Sequence, residues 1–292
     1  MAVALIITTI IWGSGFIATQ FAIDNGLNTS AILALRFSIA AIALLLSFGK
    51  ELRNISKKDF INGSITGFIL YLGFFTQTLG LRYTTPANNA LITASYVIIV
   101  PIISIVFTRK SPSLILIVSS VLCFVGLCAI NIKDNFQIAF NNGDILTLFS
   151  AFFYALHIIV LEKNAKNINI KVLTILQVSS VAVFSILSFL IFEPSVSGFN
   201  SKPALLSVVY LALFGTYIAY IVQTYAQKVV KSTKLAIILS MESLFGAMFS
   251  VWFGYDVLSL QMVIGALLIF AALFLAEMKR ENASTLSTQK RR

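Results

Sequence analysis

The chain has 292 residues, of which 58% are hydrophobic and 11% charged, with a mean hydropathy of +0.94 and a formal net charge of +10. A soluble domain carries about 25% charged residues, so this composition excludes the soluble globular classes. The positive charge does not point to nucleic acid either, because that requires basic residues clustered on a soluble surface, and here they are parcelled out between loops.

Ten apolar runs, each of roughly 18 to 22 residues, are long enough to cross a bilayer as helices. They cover 2–21, 30–48, 60–81, 88–108, 114–132, 144–161, 172–192, 203–226, 235–253 and 258–276. The expectation is an all-α polytopic membrane protein with ten transmembrane helices and no soluble domain. The first run lacks a basic leader and is closely followed by the second, so it reads as a retained helix rather than a cleaved signal peptide. Gly13, Ser14 and Gly15 give it a small-residue surface for close helix approach, a theme repeated by Gly63, Gly67 and Gly73 in the third run. Arg36 sits inside the second run. In the third, Tyr71, Phe74, Phe75 and Thr78 are spaced to line one side, as are Tyr217, Tyr220 and Thr224 in the eighth. Asn88 and Asn89, after Pro86, are expected to cap the fourth run. Cys123 and Cys128 lie in the fifth run and read as small hydrophobes rather than a disulfide or metal site. His157, the single histidine, falls in the sixth, and no second His or Cys stands at metal-ligand spacing.

Cytoplasmic loops retain positive charge during insertion. With the amino terminus inside, the inner segments hold Lys50, Arg53, Lys57, Lys58, Arg109, Lys110, Lys163, Lys166, Lys171, Lys228, Lys231, Lys234, Lys279, Arg280, Lys290, Arg291 and Arg292. Outer loops hold only Arg82, Lys133 and Lys202. Both termini are therefore expected in the cytoplasm, with the protein in a plasma or bacterial inner membrane.

A faint internal repeat runs at an offset of 146 residues, pairing 75–78 (Phe-Thr-Gln-Thr) with 221–224 (Ile-Val-Gln-Thr) and Ala90-Leu91 with Ala236-Ile237. Five runs per half is an odd number, so the second half is expected to have inverted topology. The expected units are 1–136, 137–278 and a basic tail at 279–292.

Ile11-Trp12-Gly13-Ser14-Gly15-Phe16, Ala34-Leu35-Arg36-Phe37, Gly80-Leu81-Arg82-Tyr83-Thr84-Thr85 and Tyr96-Val97-Ile98-Ile99-Val100-Pro101, in this order and spacing, resemble the EamA type of the drug/metabolite transporter superfamily. Two positions depart from that pattern. Thr108-Arg109 and Gly254-Tyr255-Asp256 stand where relatives often carry Gly-Glu, and Glu242-Ser243 replaces a common Glu-Pro. The resemblance implies two five-helix halves rocking about a central cavity, with export of metabolites, among them amino acids and toxic organic compounds.

An ionised side chain at mid-bilayer costs about 2.5 to 3.5 kcal/mol on insertion scales, so Glu242 in the ninth run and Arg36 in the second must face protein or a water-filled cavity. Glu242 can bind an amine, carry a proton, or tie helices together through Arg36 or a tyrosine. Arg36 can grip a carboxylate with its rigid fork of donors, or bond backbone carbonyls or Glu242. Together they suit amino-acid-like solutes. The candidate substrate contacts are Glu242, Arg36, Trp12, Tyr71, Phe75, Gln77, Tyr96, Tyr217 and Tyr220, and the proton-coupling candidates are Glu242 and His157. Stacked aromatics suit flat or cationic solutes, although they suit ordinary packing equally. No paired aspartates, His-Glu-x-x-His or Gly-x-Ser-x-Gly occur, which speaks against an enzyme. The expected partners are a small-molecule substrate and the lipid bilayer, with no cofactor and no nucleic acid. A facilitative exchanger or importer, or a non-transport scaffold or receptor, are the alternatives, and monomer and homodimer stay equally open.

Overall fold

The computed structural model describes residues 1–109, 111–130, 141–194, 197–255 and 257–289. Lys110, Lys133, Asp256, Lys290, Arg291, Arg292, the end of the fifth run at 131–132 and the 136/137 boundary lie outside them. Every element among the described residues is helical: α1 Ala2–Asp24, α2 Thr29–Phe48, α3 Lys57–Leu81, α4 Pro86–Ala94, α5 Tyr96–Thr108, α6 Leu114–Ile130, α7 Asn142–Ala165, α8 Ile170–Phe192, α9 Lys202–Ala212, α10 Ala219–Val229, α11 Ser232–Leu239, α12 Met241–Trp252 and α13 Leu260–Gln289. A π-helical segment, Leu213–Ile218, joins α9 to α10.

Helix starts follow from side chains that satisfy the first unpaired N–H groups. Asn28 accepts from the Ala31 amide at α2, and Ser56 accepts from the Asp59 amide at α3. Asn141 and Asp144 form a reciprocal capping box at α7. The fourth run is capped by Thr85, whose Oγ1 accepts from the Asn88 amide, with Pro86 in the first turn. The expected Asn88/Asn89 cap is thus corrected by three residues, and Asn89 turns inward instead.

By length and composition eight helical segments can cross a membrane, and two more, Leu114–Ala129 and Leu260–Ala276, are apolar but shorter. The outer surface carries large apolar side chains such as Leu46, Val106, Leu190, Phe192 and Phe274, the arrangement that hydrocarbon solvent favours and water does not. Polar contacts gather at the two ends. At one end Arg82 meets Glu193 at 2.9 Å, Glu193 also accepts from the Ser30 amide, Thr84 donates to Asp144, and Tyr255 donates to Asp24. At the other, Lys171 meets Glu51 at 2.9 Å and Glu162 accepts from the Ser232 amide.

The principal helix contacts are α1 against α9 and α12, α7 against α3, α4 and α5, α8 against α2 and α3, and α6 against α13. Several of these contacts require glycine. A Cβ on Gly13 would lie 2.6 Å from Phe245 Cβ and 2.8 Å from the Glu242 carbonyl oxygen, and a Cβ on Gly80 would lie 2.8 Å from the Gly143 carbonyl oxygen.

The fourth and ninth runs are not continuous. Each breaks at a serine, Ser95 and Ser240, with nearly identical backbone angles of φ −60, ψ −12 and φ −61, ψ −13. Both serine hydroxyls bond back to the carbonyl three residues earlier, at Ile92 and Ile237. This local competition for backbone acceptors weakens helical continuity. Pro101 in α5 removes a further N–H from the first broken helix, whereas the second breaks without a proline.

Candidate substrate cavity

Between these helices lies a cavity with about 700 Å³ of unfilled space, part of it open to the outside. Its lining draws on α1, α2, α3, α4, α5, α7, α9, the π segment, α10, α11 and α12. The structure brings Trp12, Arg36, Gln77, Tyr96, His157, Tyr220 and Glu242 to it.

Arg36 is 5% exposed, and burial of a guanidinium at this depth demands compensation. The π segment supplies it. Arg36 Nε donates to Thr216 Oγ1 at 2.7 Å and Nη2 to the Gly215 carbonyl at 3.2 Å, a carbonyl that also accepts from Trp12 Nε1 at 2.9 Å. Below the guanidinium stands Phe74, 4.6 Å from ring centroid to Cζ, with Phe37 at 5.3 Å, an arrangement that attracts the cation to the ring faces. Three of the five N–H donors take no bond among the described residues. Thr216 Oγ1 itself donates to the Leu211 carbonyl five residues back, a spacing that suits the wider π turn.

Glu242 stands in the first turn of α12, two residues after Ser240. Its Oε1 accepts from the Tyr96 hydroxyl at 3.2 Å, and Oε2 takes no bond among the described residues. Tyr96 opens α5 directly after the Ser95 break, so each broken helix contributes its first polar side chain to this bond. Of the partners open to Glu242, the structure selects a tyrosine. Glu242 and Arg36 line one cavity without pairing with each other.

Around the two charges stand aromatic and amide groups. Tyr154 donates to Gln77 Oε1 at 3.0 Å, Gln77 Nε2 donates to Thr93 Oγ1 at 3.0 Å, and Tyr154 meets the edge of Phe74 with centroids 5.4 Å apart. Trp12 tilts over Tyr220 at 5.7 Å. His157 Nε2 lies 2.9 Å from Gln177 Oε1.

Tyr71, Phe75 and Tyr217 are not among the lining residues. Tyr71 bonds Ser188 and tilts against Phe184 between α3 and α8, Phe75 packs on Tyr71, and the Tyr217 hydroxyl bonds Ser47 on α2. Helical rotation explains this. Phe74, Gln77, Thr78 and Leu81 recur at i, i+3, i+4 and i+7 and form the cavity face of α3, while Tyr71 and Phe75 sit on the adjoining face. Sequence reasoning missed Tyr154, Asn89 and Gln223 as lining residues. Tyr154 is one turn before His157, and Gln223 is both one turn after Tyr220 and 146 residues after Gln77, so both were within reach of spacing arguments.

Comparison with known proteins agrees with the architecture. An uncharacterized transporter of Archaeoglobus fulgidus is 31% identical over 280 residues, covering 94% of this chain and 85% of the relative. A second uncharacterized transporter from the same organism is 22% identical over 285 residues, covering 94% and 96%. A crystal structure with 18% identity superposes with a TM-score of 0.76 over 97% of this chain and 98% of its own, which establishes the shared fold. The profile of the EamA-like transporter family matches residues 1–132 and 141–278, and the chain accordingly belongs to that family, within the drug/metabolite transporter superfamily, as a multi-pass membrane transporter.

Proposed function

We propose that this protein is a secondary transporter that exports small amine-bearing metabolites, amino-acid-like solutes foremost, by alternating access around the cavity. One observation carries the reading: Arg36 and Glu242 line the same buried space, each held by neutral neighbours and neither neutralised by the other. A solute with both an amine and a carboxylate answers both charges, while Trp12, Phe74, Tyr154 and Tyr220 supply faces for its cationic or flat parts.

Ten crossings in two inverted sets of five suit the helix pairing. Run one packs on runs eight and nine as run six packs on runs three and four, and runs two with seven and five with ten pair symmetrically. The cavity then lies between halves, bordered by two helices broken at equivalent places, as in transporters whose half-helix termini border the substrate. Rocking of one half against the other exposes the cavity to alternate sides.

Energy comes from a gradient. A proton crossing 100 mV supplies about 2.3 kcal/mol and a pH unit about 1.4, which together support roughly a 500-fold gradient of a neutral solute. Glu242 is the acid placed to carry that proton, moving between the Tyr96 hydroxyl and the substrate amine. The test is a thermal-shift screen of the purified protein against amino acids, polyamines and organic cations, repeated on Glu242→Ala and Arg36→Ala. Stabilisation by amino acids that is lost in both variants, with stabilisation by amines lacking a carboxylate lost in Glu242→Ala alone, supports the reading. Stabilisation retained in both overturns it.

A further inference from the structure

Several acceptors of the cavity lack a donor among the described residues, and neighbouring groups fix that sense for two of them. Thr224 Oγ1 gives its single proton to the Tyr220 carbonyl at 2.6 Å, so it must accept from Gln177 Nε2 at 2.8 Å. The Gln177 carbonyl oxygen is thereby turned on His157 Nε2, 2.9 Å away. A carbonyl only accepts, so Nε2 carries the proton, and Nδ1 of the neutral ring is left as a lone-pair acceptor. His157 is 1% exposed, lines the cavity, and makes no second hydrogen bond among the described residues.

Asn89 is fixed by the same logic. Its amide nitrogen donates to the Gln77 carbonyl at 3.1 Å and to Thr147 Oγ1 at 2.8 Å, and Thr147 is an acceptor there because its own proton goes to the Gly143 carbonyl. Both N–H groups are used, the amide cannot flip, and Oδ1 is left buried without a partner. Gln223, 3% exposed, also leaves its Oε1 buried and unpaired, and with no bond among the described residues to hold its amide it can turn that oxygen to a donor. Trp12, Tyr96 and Tyr154 spend their donors on Gly215, Glu242 and Gln77, while the remaining N–H groups of Arg36 are the ones that answer a carboxylate. Buried acceptors without a donor are uncommon in native proteins and call for one.

We infer that the cavity reads its ligand through the acceptors of His157, Asn89 and Gln223, so that the substrate is a nitrogen compound rich in N–H donors, a primary ammonium or guanidinium, and its permethylated counterpart is excluded. The inference rests on the cavity being the substrate site and narrows what enters it. Charge alone does not make this distinction, since Glu242 and the aromatic faces attract quaternary and primary cations alike. It also assigns His157 to recognition and leaves proton coupling to Glu242.

Two measurements on the full-length protein in nanodiscs test it. The first is calorimetric binding of phenylalanine and of 1,5-diaminopentane, each beside its fully N-methylated quaternary analogue. The quaternary analogues are expected to bind roughly 100-fold more weakly, about tenfold for each of two lost hydrogen bonds. Equal binding within a pair overturns this inference while the amine-transport reading stands, whereas no binding by any of the four fails both. The second needs no ligand. Because the chain has one histidine, 15N-histidine labelling yields a single pair of ring signals. A proton coupled to Nε2 and none to Nδ1 is expected, and Thr224→Val, which releases Gln177, is expected to mix the tautomers. A protonated Nδ1 in the unmodified protein overturns the inference.

Discussion

The two broken helices place different chemistry at matching points. Tyr96 follows the Ser95 break and Glu242 follows the Ser240 break, 146 residues apart and bonded to each other. The same offset relates Gln77 to Gln223, yet Gln77 is tied to Thr93 and Tyr154 while Gln223 makes no hydrogen bond among the described residues. The third run is α-helical throughout, and the eighth carries the π segment that holds Arg36. Backbone geometry recurs where polar function does not. The first half supplies Tyr96, the paired Gln77, the guanidinium and Asn89 with its unpaired Oδ1; the second supplies the acid, the carbonyl that seats the guanidinium, and the unpaired Gln223. Of the two related glutamines, one frames the cavity and the other is left for a ligand to complete.

The largest expected effect comes from making the two breaks chemically alike. Glu242→Gln leaves a side chain that still accepts from Tyr96 but carries no proton, so gradient-driven flux in proteoliposomes should fall to background while substrate exchange persists. Tyr96→Phe removes only one hydrogen bond to the acid, worth about 1.5 to 3 kcal/mol at most, and should keep coupled flux measurable. Coupled flux unchanged by Glu242→Gln would sink the proton assignment.

Next in size is Arg36→Met, which removes the charge but keeps a long side chain beside Phe74. A hydrogen bond to a charged group contributes about 1.5 to 3 kcal/mol, so binding of a carboxylate-bearing ligand should weaken roughly 10- to 100-fold. Ligands lacking a carboxylate, such as 1,5-diaminopentane, should be spared, and equal losses for both would show that Arg36 is structural. Smaller again is Gly13→Val. Its added atoms would meet Phe245 and the backbone of α12, and overpacking of this kind costs about 1 to 3 kcal/mol, read as a lower melting temperature. Gly15→Ala, whose Cβ would sit 3.4 Å from Leu211 Cδ2, should be nearly silent.

Much of the scaffold was legible because lipid imposes a plain rule: long apolar runs, broken only by groups with a partner or a purpose. Glu242 and Arg36 stood out for that reason. What pattern alone hid was the rotation of each helix about its axis. Tyr71, Phe75 and Tyr217 are polar or aromatic at helical spacing, yet a turn of one face sends them to α8 or α2 instead of the cavity. The breaks were hidden too, because Ser95 and Ser240 are ordinary in membrane helices and nothing in their type sets them apart from serines such as Ser14, which bonds back in the same way within the continuous α1. The π segment has no sequence mark beyond Gly215-Thr216, and the groups it bonds, Arg36 and Trp12, arrive from other helices.

The smallest expected effect separates Gln77 from Gln223. Leucine has nearly the volume of glutamine and no polar atoms, so each substitution reports mainly what the amide was doing. Gln77→Leu strands the Tyr154 hydroxyl and removes the donor to Thr93. A buried polar group left without its partner costs about 1 to 3 kcal/mol, and the melting temperature should fall even without ligand. Gln223→Leu strands nothing, because its buried Oε1 already lacks a donor, so stability without ligand should hold or rise slightly. Its cost should appear only when an amine is present, as a lost share of ligand-induced stabilisation. Equal melting shifts for the two variants would mean that the two halves use these glutamines alike, and the division between framing and ligand-completed groups would fail.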